Sequence, residues 1–111
     1  MNGLRCIAGL IALTAWLTAG LAAAADVEAA KKIVTGTCQA CHGMDGNSTI
    51  PDNPKLAGQH RDYLAKALRD YKSGARKNPI MAGFAGTLSP QDIDDLAAYF
   101  SSQPAVLQSR M

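Results

Sequence analysis

Two cysteines and a histidine lie together in the heptapeptide TCQACHG, residues 37–43. The pattern C-x-x-C-H is the attachment motif of a c-type haem. Two thiols three positions apart on a helical turn can reach the two vinyl groups of one porphyrin and bond to them as thioethers. The histidine follows directly, so its imidazole can approach the iron from one face. The motif predicts Cys38 and Cys41 as covalent haem anchors and His42 as the proximal iron ligand.

Other uses of a cysteine pair fit this chain less well. A zinc site needs a second pair of ligands, and the only other cysteine and histidine are Cys6 and His60. A thioredoxin-like redox pair needs a βαβ context, of which the sequence shows no sign. A disulfide between Cys38 and Cys41 stays open as an alternative, although it would give the adjacent histidine no role.

The start of the chain has the features of a secretory signal. Arg5 gives it a positive charge, an apolar run follows, and four consecutive alanines precede Asp26. This order is typical of a signal peptide that is cleaved after a small residue. We expect residues 1–25 to be removed, residues 26–104 to form the domain and residues 105–111 to be a loose tail. Retention of the apolar run as a membrane anchor is the alternative.

Size and charge narrow the function classes further. A mature chain of roughly 86 residues buries a small hydrophobic core and often needs an additional stabilising group. A covalently held haem would be such a group. The formal net charge of +2 does not favour nucleic-acid binding. Positive side chains nevertheless cluster in the middle of the chain and could steer an acidic partner. This basic group consists of Lys66, Arg69, Lys72, Arg76 and Lys77.

Apolar residues recur at helical spacing in three segments, and almost no strand pattern is present. The predicted helices cover residues 26–37, residues 59–73 and residues 89–103. We expect Gly74 to end the second helix in the left-handed conformation. A capping pair with proline at the first helical position is expected where the third helix begins.

The two segments between these helices, residues 43–58 and residues 75–88, are rich in glycine, asparagine and proline and are predicted to be loops. Long loops are unusual in a small domain unless something packs against them, and a haem would do so. Met81 lies in the second loop. Beside a haem, a thioether held there would be the second axial ligand of the iron, so Met81 is predicted as the distal ligand, with His60 as its rival.

Together these motifs resemble a class I c-type cytochrome over most of the chain, from Val27 to about Gln103. Besides C-x-x-C-H, the stretch PKLAG at 54–58 is similar to the family's proline-x-leucine-x-glycine stretch, NPIM at 78–81 to its methionine loop, and LAAYF at 96–100 to its C-terminal helix. The chain also resembles one half of the dihaem periplasmic cytochromes of bacterial respiratory chains. Because it has one C-x-x-C-H motif, it would be a monohaem relative.

The resemblance implies an all-α class I cytochrome c fold, in which three main helices and two long loops surround one covalently attached haem c. It further implies that the Pro54 carbonyl accepts the Nδ1–H of His42 and that Leu56 packs on the haem. The last helix would cross the first near Ala30 and Val34. Further candidates for apolar haem contacts are Ile50, Ile80 and Phe84.

The function that follows is a periplasmic one-electron carrier and not an enzyme, whose iron cycles between Fe(III) and Fe(II) with His/Met ligation. Its partners would be redox proteins such as a quinol–cytochrome c reductase, a dehydrogenase or a terminal oxidase or reductase. The alternatives are a haem subunit of a larger dehydrogenase or oxidase complex, and a haem enzyme or sensor with an open sixth position. We expect a monomer, peripheral to the membrane at most, that binds no nucleic acid.

Overall fold

The computed structural model describes residues 24–106, so most of the expected leader and the last five residues lie outside the described part. Within that part, no residue forms a strand, as the predicted all-α class requires. No helix there is long and apolar enough to cross a bilayer. The helices are α1 (Val27–Ile33), a π-helix (Val34–Cys38), α2 (Gln39–His42), α3 (Arg61–Ser73), α4 (Pro79–Ala85) and α5 (Pro90–Ser101).

The first three of these elements form one helical run that carries the cysteine pair. The side chain of Asp26 caps its start by accepting the N–H of Ala29 at 2.9 Å, as aspartate commonly does. The sequence predicted an end at Thr37, but the run continues through the π-helix to His42. A π-helical turn holds one extra residue and is often found at functional sites. Here it rotates the C-x-x-C-H segment relative to α1.

The core lies where α1 and α3 pack against α5. Ala30 and Val34 of the N-terminal run are fully buried, and they belong to one cluster with Leu96 and Phe100 of α5. The predicted crossing near Ala30 and Val34 is therefore confirmed. A small side chain at the crossing lets the two backbones approach. Full burial of a side chain such as Val34 contributes about 1.5–3 kcal/mol to the stability of the folded state, compared with leaving it exposed.

The segment 43–58 is irregular, as predicted, and Gly46 fixes its path. Gly46 has φ +76°, and its carbonyl accepts the N–H groups of Leu56 at 2.8 Å and Ala57 at 3.2 Å. A Cβ on Gly46 would lie 2.8 Å from Phe100 Cδ1 and 2.9 Å from Ala57 N. Only glycine fits, because both the backbone angle and the space exclude a side chain.

The prediction of a loop over residues 75–88 is wrong for its central part, which forms α4. Asn78 caps this helix, because its side-chain oxygen accepts the N–H groups of Ile80 and Met81, both at 3.0 Å. Pro79 occupies the first helical position, where its missing N–H costs nothing. The glycine and proline residues make this segment look like a loop, yet it contains a seven-residue helix. The Asn78 cap and packing against α3 stabilise that helix.

The ends of α3 and α5 follow the predicted rules. Gly74 adopts the left-handed conformation after α3, with φ +84°. Ser89 and Asp92 form a capping box at the start of α5: the Ser89 hydroxyl accepts the N–H of Asp92 at 3.0 Å, and the Asp92 carboxylate accepts that of Ser89 at 2.8 Å. These local signals set the boundaries of the two helices that pack on each other.

The loose tail is predicted to begin at residue 105, and Val106 within it contacts the 43–58 loop. Asn47 donates to the carbonyl of Pro104 at 2.8 Å and accepts the N–H of Val106 at 2.7 Å. The Lys55 ammonium also donates to the Val106 carbonyl at 3.0 Å. These long-range contacts tie the end of the described chain to the 43–58 loop, whereas residues 107–111 lie outside the described residues.

The substitution Gly46→Ala tests the close approach between the 43–58 loop and α5. A left-handed alanine costs about 1–2 kcal/mol, and overpacking adds about 1–3 kcal/mol. We expect the free energy of unfolding in urea to fall by about 3 kcal/mol.

Gly36→Ala is the matched control, since a Cβ at this exposed helical position meets no heavy atom within 4 Å. Its free energy of unfolding should rise by about 0.5–1 kcal/mol. Equal urea midpoints for Gly46→Ala and the parent protein would show that the close approach does not constrain the loop.

Candidate haem site

A mainly apolar cavity lies between the C-x-x-C-H segment, the 43–58 loop and helices α3, α4 and α5. Its wall combines many apolar side chains with a few polar ones, which is typical of sites that bury a large ligand or cofactor. Leu96, Ala97 and Phe100 of the core also form part of its wall, so a group bound here would complete the core of a small domain.

His42 is the best-defined polar group of this cavity. The residue is 8% exposed, and its Nδ1–H donates to the carbonyl oxygen of Pro54 at 2.8 Å. Both residues line the cavity. With the proton on Nδ1, Nε2 carries the free lone pair that a metal ligand needs, and the carbonyl orients the ring. The donor chemistry at this position therefore suits a haem iron.

The two cysteines differ in environment. Cys38 is half-buried and lines the cavity, whereas Cys41 is exposed and does not line it. Burial raises the pKa of the Cys38 thiol, because a thiolate would lose solvation there. A thioether carries no ionisable proton and would not meet this cost. The two thiols are free and not joined as a disulfide.

Met81 lies on the cavity wall because of its position on α4. Met81, Phe84 and Ala85 line the cavity, and their spacing of three and four residues corresponds to one helical face. Ile80 is 69% exposed and is not among the lining residues. It precedes Met81 by one residue, about 100° around the helix. The structure therefore does not bring Ile80 to the site.

The other predicted site residues divide in the same way. Leu56 lines the cavity beside Pro54, while Ile50 is 47% exposed and lies outside the wall. His60, the rival distal ligand, is also exposed and outside the wall. Among the described residues, the cavity wall therefore contains one histidine and one methionine.

Arg76 is the positively charged residue at the wall of this cavity within the described part of the chain. Its guanidinium lies 4.9 Å from the centre of the Tyr71 ring, and Nη1 donates to the Tyr63 hydroxyl at 3.3 Å. The hydrogen bond with Tyr63 raises the pKa of Arg76, and a guanidinium is in any case charged in proteins. We expect this fixed cation to face the carboxylates of a bound haem.

Sequence reasoning missed two residues that fix the loop around the motif. Ser48 is 5% exposed, and its hydroxyl lies 3.3 Å from the Cys41 carbonyl and 3.0 Å from that of Ile50. Tyr99 of α5 is buried, and its hydroxyl donates to the Met44 carbonyl at 2.6 Å. The Tyr99 contact has no local signal in the sequence, because it joins residues that are 55 positions apart.

Comparison with known proteins identifies the family of this chain. The family model described as Cytochrome c matches residues 27–104. Cytochrome c4 of Pseudomonas aeruginosa is 52% identical over 91 residues, which are 82% of this chain and 45% of that protein. Cytochrome c-554(548) of Halomonas halodenitrificans is 46% identical over 71 residues, which are 61% of this chain and 86% of that protein.

A solved structure agrees as well. The crystal structure of reduced recombinant cytochrome c4 from Pseudomonas stutzeri matches with a TM-score of 0.69 at 47% identity, over 76% of this chain and 48% of that one. The chain thus spans about half the length of the cytochrome c4 relatives that it matches. The predicted resemblance and the class I fold are confirmed. The chain belongs to the cytochrome c family, and the group that its cavity takes is covalently bound haem c.

Proposed function

We propose that the chain is a one-electron carrier in which Cys38 and Cys41 hold the haem covalently, His42 is the proximal ligand and Met81 the distal ligand. The observation that supports this most is the bond from His42 Nδ1 to the Pro54 carbonyl on the cavity wall. When bound, the haem iron supplies the chemistry, a reversible change between Fe(III) and Fe(II).

The chain's own residues would set the reduction potential. The Pro54 carbonyl accepts a hydrogen bond from the Nδ1–H of His42. This bond strengthens electron donation from Nε2. A thioether from Met81 favours the reduced iron, so His/Met ligation raises the potential. Apolar lining residues such as Leu56 and Leu68 keep water away and also disfavour the higher charge of the oxidised iron.

An electron carrier is favoured over a haem enzyme because the cavity offers two axial donors. A histidine and a methionine on its wall would fill both axial positions and leave none for a substrate. Electron transfer then needs only a brief contact near the haem edge, and redox partners meet through small interfaces. We infer that other redox proteins, not small molecules, are the partners of this chain.

Charge near the cavity mouth would contribute to partner choice. Two members of the basic group already have acidic partners: Lys66 contacts Asp70, and Arg69 Nη2 lies 2.9 Å from Asp94. Exposed pairs of this kind contribute little to stability, but they reduce the local excess of positive charge. Of the basic group, Lys72 and Lys77 have no acidic partner within the described part of the chain, and Arg76 is expected to face the haem carboxylates. Lys72 and Lys77 therefore remain the candidates for steering an acidic partner, an effect that salt would weaken.

We also propose that the chain is exported and works in the periplasm. The proposal rests on the basic start, the apolar run and the four alanines before Asp26, which are typical of a cleaved leader. Cleavage after Ala25 would leave residues 26–111, which include every helix that the structure describes. Retention of the leader as an anchor is the competing arrangement, and the mass of the exported protein separates the two.

The substitution Met81→Ala tests the distal ligand. Loss of the thioether should remove the weak far-red absorption of the oxidised protein that arises from sulfur bound to iron. The reduction potential should fall on the order of 0.2 V, a fraction of the roughly 0.8 V range that axial ligands set. Potentiometric titration of the exported protein measures both changes.

Met44→Ala is the matched control, because Met44 is 37% exposed and lies outside the cavity wall. Its spectrum and potential should equal those of the parent. If Met81→Ala left the far-red absorption in place while Met44→Ala removed it, the assignment of the distal ligand would be wrong.

Replacing both motif cysteines, Cys38→Ala together with Cys41→Ala, tests covalent attachment. The denatured double variant should lose all haem absorbance on a gel, and its intact mass should equal that of the polypeptide alone. Either single variant should keep one thioether and a reduced yield of coloured protein. A double variant that kept its haem through denaturation would contradict the assignment of these two residues.

A further inference from the structure

Asp95 is a buried carboxylate that has no basic side chain as a partner within the described part of the chain. The residue is 2% exposed on α5. Its Oδ1 accepts the backbone N–H of Asp26 at 2.8 Å and the side-chain amide of Gln91 at 2.7 Å. Neither of the salt bridges formed by the described residues includes it.

A carboxylate in this position calls for a positive charge. Aspartate is almost never fully buried unless it is paired, because neutral donors replace only part of the hydration that an ion loses. Both donors to Asp95 are neutral in an uninterrupted chain, since one is a peptide N–H and the other a primary amide. Of these two donors, only the Asp26 nitrogen can become charged, when the peptide bond before it is cleaved.

We propose that Asp95 is the binding site for the α-ammonium group formed when the leader is removed between Ala25 and Asp26. Hydrolysis of that peptide bond consumes one water, leaves a carboxylate on Ala25 and leaves the Asp26 nitrogen as an ammonium. This nitrogen is the atom that lies 2.8 Å from Asp95 Oδ1. The inference rests on the cleaved leader of the proposed function and adds the place where the new N-terminus binds.

The geometry also specifies the cleavage position. Consecutive Cα atoms lie about 3.8 Å apart, so cleavage one or two residues earlier would place the ammonium roughly 4–8 Å farther along the chain. The Asp26 nitrogen would then remain a neutral amide. Only cleavage directly before Asp26 converts the existing contact into a charge-assisted hydrogen bond, which is stronger than a neutral one.

The surroundings of the Asp26 nitrogen favour a positive charge there. An ammonium at a helix N-terminus opposes the helix macrodipole, so it needs acidic neighbours. Asp26 itself caps α1, and Glu28 lies in the first turn. The basic residues of α1, Lys31 and Lys32, lie in its last turn. Asp95 supplies the buried negative charge from α5, so the ion pair would hold the start of α1 against the helix that α1 crosses.

A double-mutant cycle tests the proposal on haem-loaded protein exported behind a heterologous leader. One parent begins at Asp26, and the other keeps Ala24 and Ala25 in front of it; intact mass verifies each N-terminus. Asp95→Asn is placed in both parents. Thermal unfolding is followed by circular dichroism, and haem content is measured separately by absorbance.

We expect Asp95→Asn to lower the unfolding midpoint by about 5–10 °C in the chain that begins at Asp26, where roughly 1 kcal/mol corresponds to 4–8 °C. In the extended chain the loss should be less than half as large. The extended parent itself should unfold at a lower temperature than the parent that begins at Asp26. This last comparison needs no aspartate variant and holds even if Asp95→Asn does not fold.

Asp94→Asn is the matched control, because Asp94 lies on the same helix, is half-exposed and pairs with Arg69. Its effect should be small and equal in both parents. The proposal is overturned if Asp95→Asn lowers the unfolding midpoint by the same amount in both chains, or if cleavage of the native leader leaves an N-terminus other than Asp26. A colourless but folded protein would instead contradict the proposed electron carrier. The unfolding midpoints of the double-mutant cycle could still be measured and compared.

Discussion

The hydrogen bond from His42 to the Pro54 carbonyl joins the two parts of the chain that form the site. His42 ends the N-terminal helical run, and Pro54 lies near the end of the loop that follows it. Because this bond takes up the Nδ1 proton, Nε2 is left as the free donor atom toward the cavity. Hydrogen bonds of Gly46, Ser48 and Tyr99 fix the path of the loop. The loop in turn keeps the Pro54 carbonyl in place.

The cavity and the hydrophobic core share residues. Leu96, Ala97 and Phe100 belong to the buried cluster between α1, α3 and α5 and also line the cavity. A domain of this size has too few side chains to fill its own centre. A covalently attached haem would act as the missing part of the core, so stability and electron transfer depend on the same residues. Helices α3, α4 and α5, with their caps at Gly74, Asn78 and Ser89, form the remaining walls.

The helix α4 shows where local patterns mislead. Residues 75–88 contain Asn78, Pro79, Gly83 and Gly86, which together indicate a loop, yet a short helix forms among them. Its existence changes which side chains reach the site: Met81 and Phe84 share a face, whereas Ile80 faces away. In an irregular loop, neighbours such as Ile80 and Met81 could both face inward. On a helix the rotation of about 100° per residue separates them.

Features that depend on neighbours along the chain could be predicted from the amino-acid sequence. The C-x-x-C-H motif, the capping box at Ser89, the left-handed Gly74 and the three apolar helical patterns all act within a few residues. Three other features depend on how the helices pack: the loop path through Gly46, the contact of Val106 with Asn47, and the contact between Asp26 and Asp95. The partners in the last two of these contacts are 59 and 69 residues apart, and no local periodicity relates residues that meet only after the helices have packed.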